Sequence, residues 1–170
     1  MKYAVISDVH GNAYALKLAL EDARREGAEG YLFAGDYCIS MPWPNEAVTL
    51  IRSLPNAYVI RGNDESHLDM PDGDDGQYEV SRWCAKALTP ENRAWLDALP
   101  EALDFTLEGV PVHMAHSSEA FVGKALHARF RHAGFHGLKA VHHLHEQGVL
   151  LHGVAVAGLG APACRKLDPH

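Results

Sequence analysis

One event recurs along this chain and limits what it can fold into: a short apolar run stops, and a residue able to hold a metal ion follows almost at once. Tyr3–Ile6 leads to Asp8 and His10, Tyr31–Ala34 to Asp36, and Ala57–Ile60 to Asn63 and Asp64. Apolar runs of this length, bounded by Gly, Asn and Asp, predict buried strands. Between the first two, Ala15, Leu16, Ala19, Leu20 and Ala23 follow helical spacing behind Asn12, a good N-cap, and Gly27 stops the helix. Pro44–Leu54 predicts a second helix. Strand, helix, strand, helix, strand at this spacing predicts an α/β fold with parallel pairing and right-handed crossovers. In such a sheet the carboxyl ends of the strands line the crevice where ligands bind.

Farther along, helices are expected over 77–88 and, behind Thr89 and Pro90, over 90–98. Ala102–Glu108 and Val110–Ala115, joined at Gly109, predict a hairpin that ends at His116. Asp72, Asp74 and Asp75 lack the spacing of a calcium loop and read as a solvated turn. Beyond Glu119, a helix over 136–147 and an apolar strand over Gly153–Gly158 are expected.

A chain of 170 residues buries roughly 70 % of its unfolded surface, enough for a single domain spanning 1–170 without a staple. No apolar stretch is long enough for a membrane span, and the N-terminus turns polar too early for a signal peptide. Cys38, Cys84 and Cys164 are an odd set without paired spacing, which fits a reducing cytoplasm. The net charge of -7 argues against sequence-independent nucleic-acid binding. Charge is unevenly spread. Residues 1–120 hold 20 of the 22 acidic and 9 of the 15 basic residues, a net of -11, whereas 121–170 hold the rest, a net of +4, with 8 of the 12 histidines. That shift marks 121–170 as an atypical segment.

The strand ends gather Asp8, His10, Asp36, Asn63, Asp64 and His116. Carboxylate, imidazole and amide oxygen suit borderline-hard divalent ions. Carboxylates at neighbouring strand ends repel one another unless a cation sits between them. A two-ion site needs a bridging carboxylate, and Asp36, on the middle loop, is the candidate. Taken singly, Asp8 reads as a helix cap, the Gly35-Asp36 and Gly62-Asn63 pairs as turns, and His116 as a half-buried histidine. Recurrence at four strand ends favours a site. His113 falls on the strand face opposite His116 and is left out. Trp83 and Trp95 read as core or cap residues and Cys38 as a buried structural thiol. No G-x-G-x-x-G loop supports dinucleotide binding.

Asp8-Val9-His10-Gly11-Asn12, Gly35-Asp36, Gly62-Asn63-Asp64 and Met114-Ala115-His116 resemble, in order and spacing, the motifs of the calcineurin-like metallophosphoesterases over about residues 1–120. Those motifs are D-x-H, G-D, G-N-[HCDK] and a strand-terminal histidine, and the likeness is to the small bacterial and archaeal phosphodiesterases of that superfamily. The resemblance implies a four-layer α/β/β/α sandwich of two mixed sheets. It also implies two divalent ions, manganese first, with iron, zinc, nickel or magnesium as alternatives. Asp8, His10 and Asp36 would hold one ion; Asp36, Asn63 and His116 would hold the other. A hydroxide bridging the ions would attack phosphorus in line, with Asp36, Asn63 and Asp64 as the catalytic group. Asn12, Asn63 and Arg61 would orient a phosphorylated small molecule or nucleotide-type substrate, Arg61 reading equally as a surface ion-pair residue. Asp64 stands where the family's protein phosphatases carry a leaving-group histidine, so activated leaving groups are favoured.

The family closes its site with G-H-x-H after a late strand, and Val154–Ala161 contains no histidine. His142 and His145 have the spacing of one helix face and, with His152, are the candidate replacements. In so histidine-rich a segment, such spacing also arises by chance. Two functions of different class follow: hydrolysis of phosphodiesters, or a non-catalytic module that keeps the fold for binding. A third expectation is a frameshifted or truncated tail that leaves a sheet edge exposed.

Overall fold

The apolar runs near the N-terminus form the centre of a four-stranded sheet. The computed structural model describes residues 1–71, 76 and 78–116, together with the backbone of 155–158. Strand β1 (Lys2–Ile6) pairs in parallel with β2 (Gly30–Phe33), Tyr3 opposite Gly30 and Ile6 opposite Phe33. Strand β2 pairs in parallel with β3 (Ala57–Val59). The interior strands are almost wholly apolar, as expected of strands covered on both faces.

Helix α1 (Ala13–Arg25) connects β1 to β2 and α2 (Pro44–Arg52) connects β2 to β3. The Asn12 side chain accepts from the Ala15 N–H at 3.0 Å, so the cap expected from sequence is formed. Leu16, Leu20 and Ala23 of α1 and Ala47, Val48 and Ile51 of α2 share one core cluster with Ala4, Ile6, Tyr31 and Phe33. After β3 the chain turns directly into a short helix, α3 (Asn63–Ser66), and a single 3-10 turn, His67–Asp69. Two further helices, α4 (Glu79–Ala87) and α5 (Pro90–Asp97), fall inside the predicted ranges. Trp95 packs against the core, but Trp83 is 46 % exposed; it faces solvent from α4 and is neither core nor cap. Cys38 and Cys84 are buried free thiols.

Strands β4 (Ala102–Leu107) and β5 (Val110–Ala115) form the expected hairpin, with Leu107 opposite Val110. Glu108 and Gly109 both take positive φ, the requirement of a two-residue turn whose twist matches the strands. The hairpin meets the first sheet where Phe105 stacks on Tyr58 of β3, ring centroids 4.2 Å apart. Among the described residues this second sheet is two-stranded and antiparallel, not mixed.

The first sheet is mixed, because β6 (Ala155–Gly158) runs antiparallel along the outer side of β1. The edge of β1 is therefore covered, in the order β3-β2-β1-β6. Gly158 lies opposite Lys2 and Ala155 opposite Val5, so β6 begins near the Asp8 end of β1 and finishes at the far edge. Its antiparallel direction thus separates β6 from a strand that delivers ligands where it ends. The predicted helix over 136–147, His142, His145, His152, Cys164 and the Asp72, Asp74 and Asp75 loop lie outside the described residues. No helix among the described residues is long and apolar enough to cross a membrane.

Candidate metal centre

Past the strand ends, the loops after β1 and β2 stay zipped together. The Ala34 N–H donates to the Ile6 carbonyl at 2.9 Å, Asp8 to Gly35 at 3.0 Å, His10 to Asp36 at 2.9 Å and Gly11 to Tyr37 at 2.7 Å. Asp8, His10 and Asp36 all sit in the left-handed region, with φ of 57°, 50° and 59°. That conformation costs roughly 1–3 kcal/mol per residue and persists where the surroundings impose it. Here the continued backbone ladder imposes it, and the result is that three side chains of metal-binding type turn toward one place.

Two glycines let the loops meet. A Cβ on Gly62 would fall 2.0 Å from Asp36 Oδ1, and one on Gly35 would fall 2.6 Å from the Gly62 Cα and 2.7 Å from His116 Nδ1. Gly35 also has φ of +102°, a conformation open to glycine. The Gly-Asp and Gly-Asn pairs are thus contact points as well as turns.

Beneath these loops lies Glu65, which the sequence reading passed over. It is 2 % exposed. Its Oε2 accepts from the Asp36 N–H at 3.0 Å and the Gly62 N–H at 2.7 Å, and its Oε1 accepts from the Tyr37 N–H at 2.7 Å. Burial and then the charge of Asp36 push its pKa up, against the pull of these three N–H groups. Its only sequence signal is an acid at the third position of a helix that follows Gly62, where a carboxylate can reach back to the cap. The Tyr37 hydroxyl adds a tie, donating to the Ile60 carbonyl at 2.5 Å and accepting from the Gly35 N–H at 2.7 Å.

The side chains converge in two triads, Asp8–Asp36–His116 and His10–Asp36–Asp64, each with its ligand atoms within 4.8 Å of one another. Asp36, only 4 % exposed, belongs to both. His116 Nδ1 faces the Ala34 carbonyl at 2.5 Å, which directs Nε2 to Asp36 Oδ2 at 3.3 Å and Asn63 Oδ1 at 2.9 Å. A carbonyl on the far nitrogen of a histidine is the arrangement that fixes a metal-ready tautomer. His10 lies 3.7 Å from Asp8 and 3.1 Å from Asp64. The backbone N–H of Asp64 donates to Asp36 Oδ1 at 2.9 Å. Six strand-end residues picked from sequence therefore meet in one site, and Asp64 stands beside His10 and Asp36 as a further carboxylate of that cluster.

The electrostatics show how strongly the converging carboxylates favour positive charge on their neighbours. Burial disfavours charge on His10, but hydrogen bonds to Asp64 and Asp8 outweigh it and hold its pKa at about 10. Burial likewise opposes charge on His116, yet Asp36 raises it to about 9. Asp8 falls to about 2 despite burial, through His10 and Ser7. Without metal, protons on two imidazoles supply the positive charge that three converging carboxylates require. Divalent cations would supply it more fully, and the oxygen and imidazole donor set suits them.

The surrounding residues divide. Asn12 has its side-chain oxygen committed to capping α1, which leaves the amide nitrogen. Arg61 is fixed through its backbone N–H to the Pro100 carbonyl at 2.8 Å, and its guanidinium has no ion pair among the described residues. His113 is outside the site, paired with Asp104 at 2.7 Å on the exposed face of the hairpin. His67, unremarked in the sequence, lies 3.8 Å from Asp64 at the site's margin.

Comparison with known proteins agrees with this geometry. The family model for calcineurin-like phosphoesterases matches residues 1–146. An uncharacterized protein of Methanocaldococcus jannaschii is 32 % identical over 118 residues, 68 % of this chain and 49 % of that one. The crystal structure of a metallophosphoesterase from Sphaerobacter thermophilus is similar at 30 % identity and a TM-score of 0.53, covering 61 % of this chain and 42 % of that one. That of a hypothetical protein from Pyrococcus horikoshii is similar at 26 % identity and a TM-score of 0.58, covering 66 % and 53 %. The chain spans about half the length of these relatives.

Proposed function

The chain belongs to the calcineurin-like phosphoesterase family, and from that premise we propose that it hydrolyses phosphodiesters with two divalent metal ions, manganese first, held around Asp36. The observation that carries this reading is the sharing of Asp36 by the two triads, the arrangement a bridging carboxylate needs. In this reading Asp8, His10 and Asp36 hold one ion and Asp36, Asn63 and His116 the other, with Asp64 beside His10. When bound, the ions supply an acidified water as nucleophile and a clamp on the phosphate oxygens.

This chain's own residues do the rest. The Ala34 carbonyl keeps the His116 Nδ1 proton in place, so Nε2 is the nitrogen offered to the centre. The Arg61 guanidinium, without an ion pair among the described residues, and the Asn12 amide nitrogen orient the phosphate, since charged and N–H donors suit its oxygens. No histidine occupies position 64, so esters with good leaving groups react best. The four-layer sandwich and a cytoplasmic setting belong to the same reading.

The test is hydrolysis of bis-p-nitrophenyl phosphate by metal-stripped protein, with and without manganese, beside Asp36→Asn. Manganese-dependent turnover that falls to the metal-only background in the variant is expected. Turnover unchanged in Asp36→Asn would overturn the reading. The histidine-free Val154–Ala161 stretch and the direction of β6 support a second reading, in which the centre binds metal and phosphate without turnover. Folded, manganese-bound wild type with no turnover would favour it.

A further inference from the structure

We propose that Tyr14 and Trp43 form an aromatic lip of the phosphoester site and receive the base of a nucleotide-type substrate. The inference rests on the phosphoester reading and names the group attached to the phosphate. In a parallel sheet, the helix that follows each strand starts at the strand's carboxyl end. Tyr14 is the second residue of α1 and Trp43 is the N-cap of α2, so both belong to the edge of the sheet that carries Asp8, His10 and Asp36. Helical side chains also lean toward the helix N-terminus, which aims Tyr14 toward that edge and away from the helix's far end.

The link to the site is short. Asn12, two residues before Tyr14, caps α1, and the Met41 N–H, two residues before Trp43, donates to the His10 carbonyl at 2.8 Å. The rings then meet edge to face, centroids 4.8 Å apart at 82°. Tyr14 is 60 % exposed although it is aromatic and in contact with another aromatic ring. Trp43 is anchored from below, where it packs against the core cluster. An aromatic pair anchored through Trp43 and open to water at Tyr14, on the sheet edge that carries the site, suits a planar heteroaromatic ring, because every base has a π face to stack. Lys17 lies 5.7 Å from the centre of the Tyr14 ring and adds a positive charge on that rim.

The test compares equilibrium binding of adenosine 5′-monophosphate and ribose 5-phosphate to manganese-loaded protein. Wild type is expected to favour the nucleotide by about tenfold, the gain of stacking one base. Tyr14→Ala should bring that ratio close to one and leave ribose 5-phosphate affinity unchanged. Leu18→Ala, an exposed position one turn farther along the same helix, should keep the wild-type ratio. Equal affinities in wild type, a ratio that survives Tyr14→Ala, or equal weakening of both ligands would overturn the lip. Hydrolysis of bis-p-nitrophenyl phosphate separates the two claims. A Tyr14-dependent preference without turnover sinks the hydrolase reading and keeps the lip; turnover without the preference sinks the lip alone.

Discussion

The loops after β1, β2 and β3 hold their share of the centre by backbone, whereas the β4–β5 hairpin delivers His116 by side-chain contact. In the loops, four ladder-like bonds and the three N–H groups gathered by Glu65 fix Asp8, His10 and Asp36 before any ligand arrives. The hairpin alternates exposed residues with half-buried or buried ones, Leu107 and Met114 among the buried, and meets the first sheet through Phe105 on Tyr58, His116 on Ala34 and the Met1 ammonium on Glu108. Preorganisation is thus concentrated on the side that carries the carboxylates, where repulsion between like charges is greatest. The hairpin brings a neutralising imidazole and depends on fewer ties.

The sharpest way to break that contrast is to remove Glu65. Glu65→Ala leaves three buried N–H groups without an acceptor, at roughly 1–3 kcal/mol each. Since ~1 kcal/mol is worth about 2–4 °C in a chain of this size, a fall in Tm of roughly 10 °C or more is expected. Glu65→Gln keeps the shape and one good acceptor, and should lose less stability while weakening manganese binding by about 10–100-fold, as supporting residues of metal sites do. Calorimetry and a manganese titration read both. If Glu65→Gln binds manganese like wild type, the clasp does not organise the loops.

A second test uses pH, with metal-stripped protein. His10 and His116 titrate at about 10 and about 9, above the ordinary histidine value near 6.5. Groups raised on folding give stability that is fully present below the ordinary value and lost as pH passes through the folded one. The Tm of the metal-free protein should therefore decline from pH 7 toward pH 10. A flat or rising profile would mean that the imidazoles are not neutralising the carboxylates. His10→Gln and His116→Gln, measured separately, divide the decline between loops and hairpin.

The smallest effect is expected at the hairpin's ring contact. Phe105→Ala removes a stacked pair worth about 0.5–1.5 kcal/mol beyond its buried area. Stability should fall modestly, and manganese affinity should fall less than in Glu65→Gln. A larger loss of manganese affinity in Phe105→Ala than in Glu65→Gln would reverse the ranking of the two regions.

The sequence by itself determined β1 to β5, the helices α1, α2, α4 and α5 and the residues that meet, but not the short helix α3 after Gly62. One apolar run that ends in Asp or Asn also reads as a cap or a turn, but recurrence at successive strand ends points to a site, and periodicity is a local property that survives without a structure. Asp8, His10, Asp36, Asn63, Asp64 and His116 were legible for that reason. Tertiary structure decided what local pattern cannot encode. Glu65 looks like any acid near a helix start, and only the approach of the Gly35 and Gly62 loops makes it a shared acceptor. The left-handed backbone at Asp8, His10 and Asp36 comes from pairing between loops distant in sequence. Trp83, apolar in sequence, faces water because its helix side has no partner surface among the described residues. The direction of β6 was equally hidden, since an apolar run reads the same for a parallel and an antiparallel neighbour. Hydrogen bonding between strands, a contact across 150 residues of chain, chose between them.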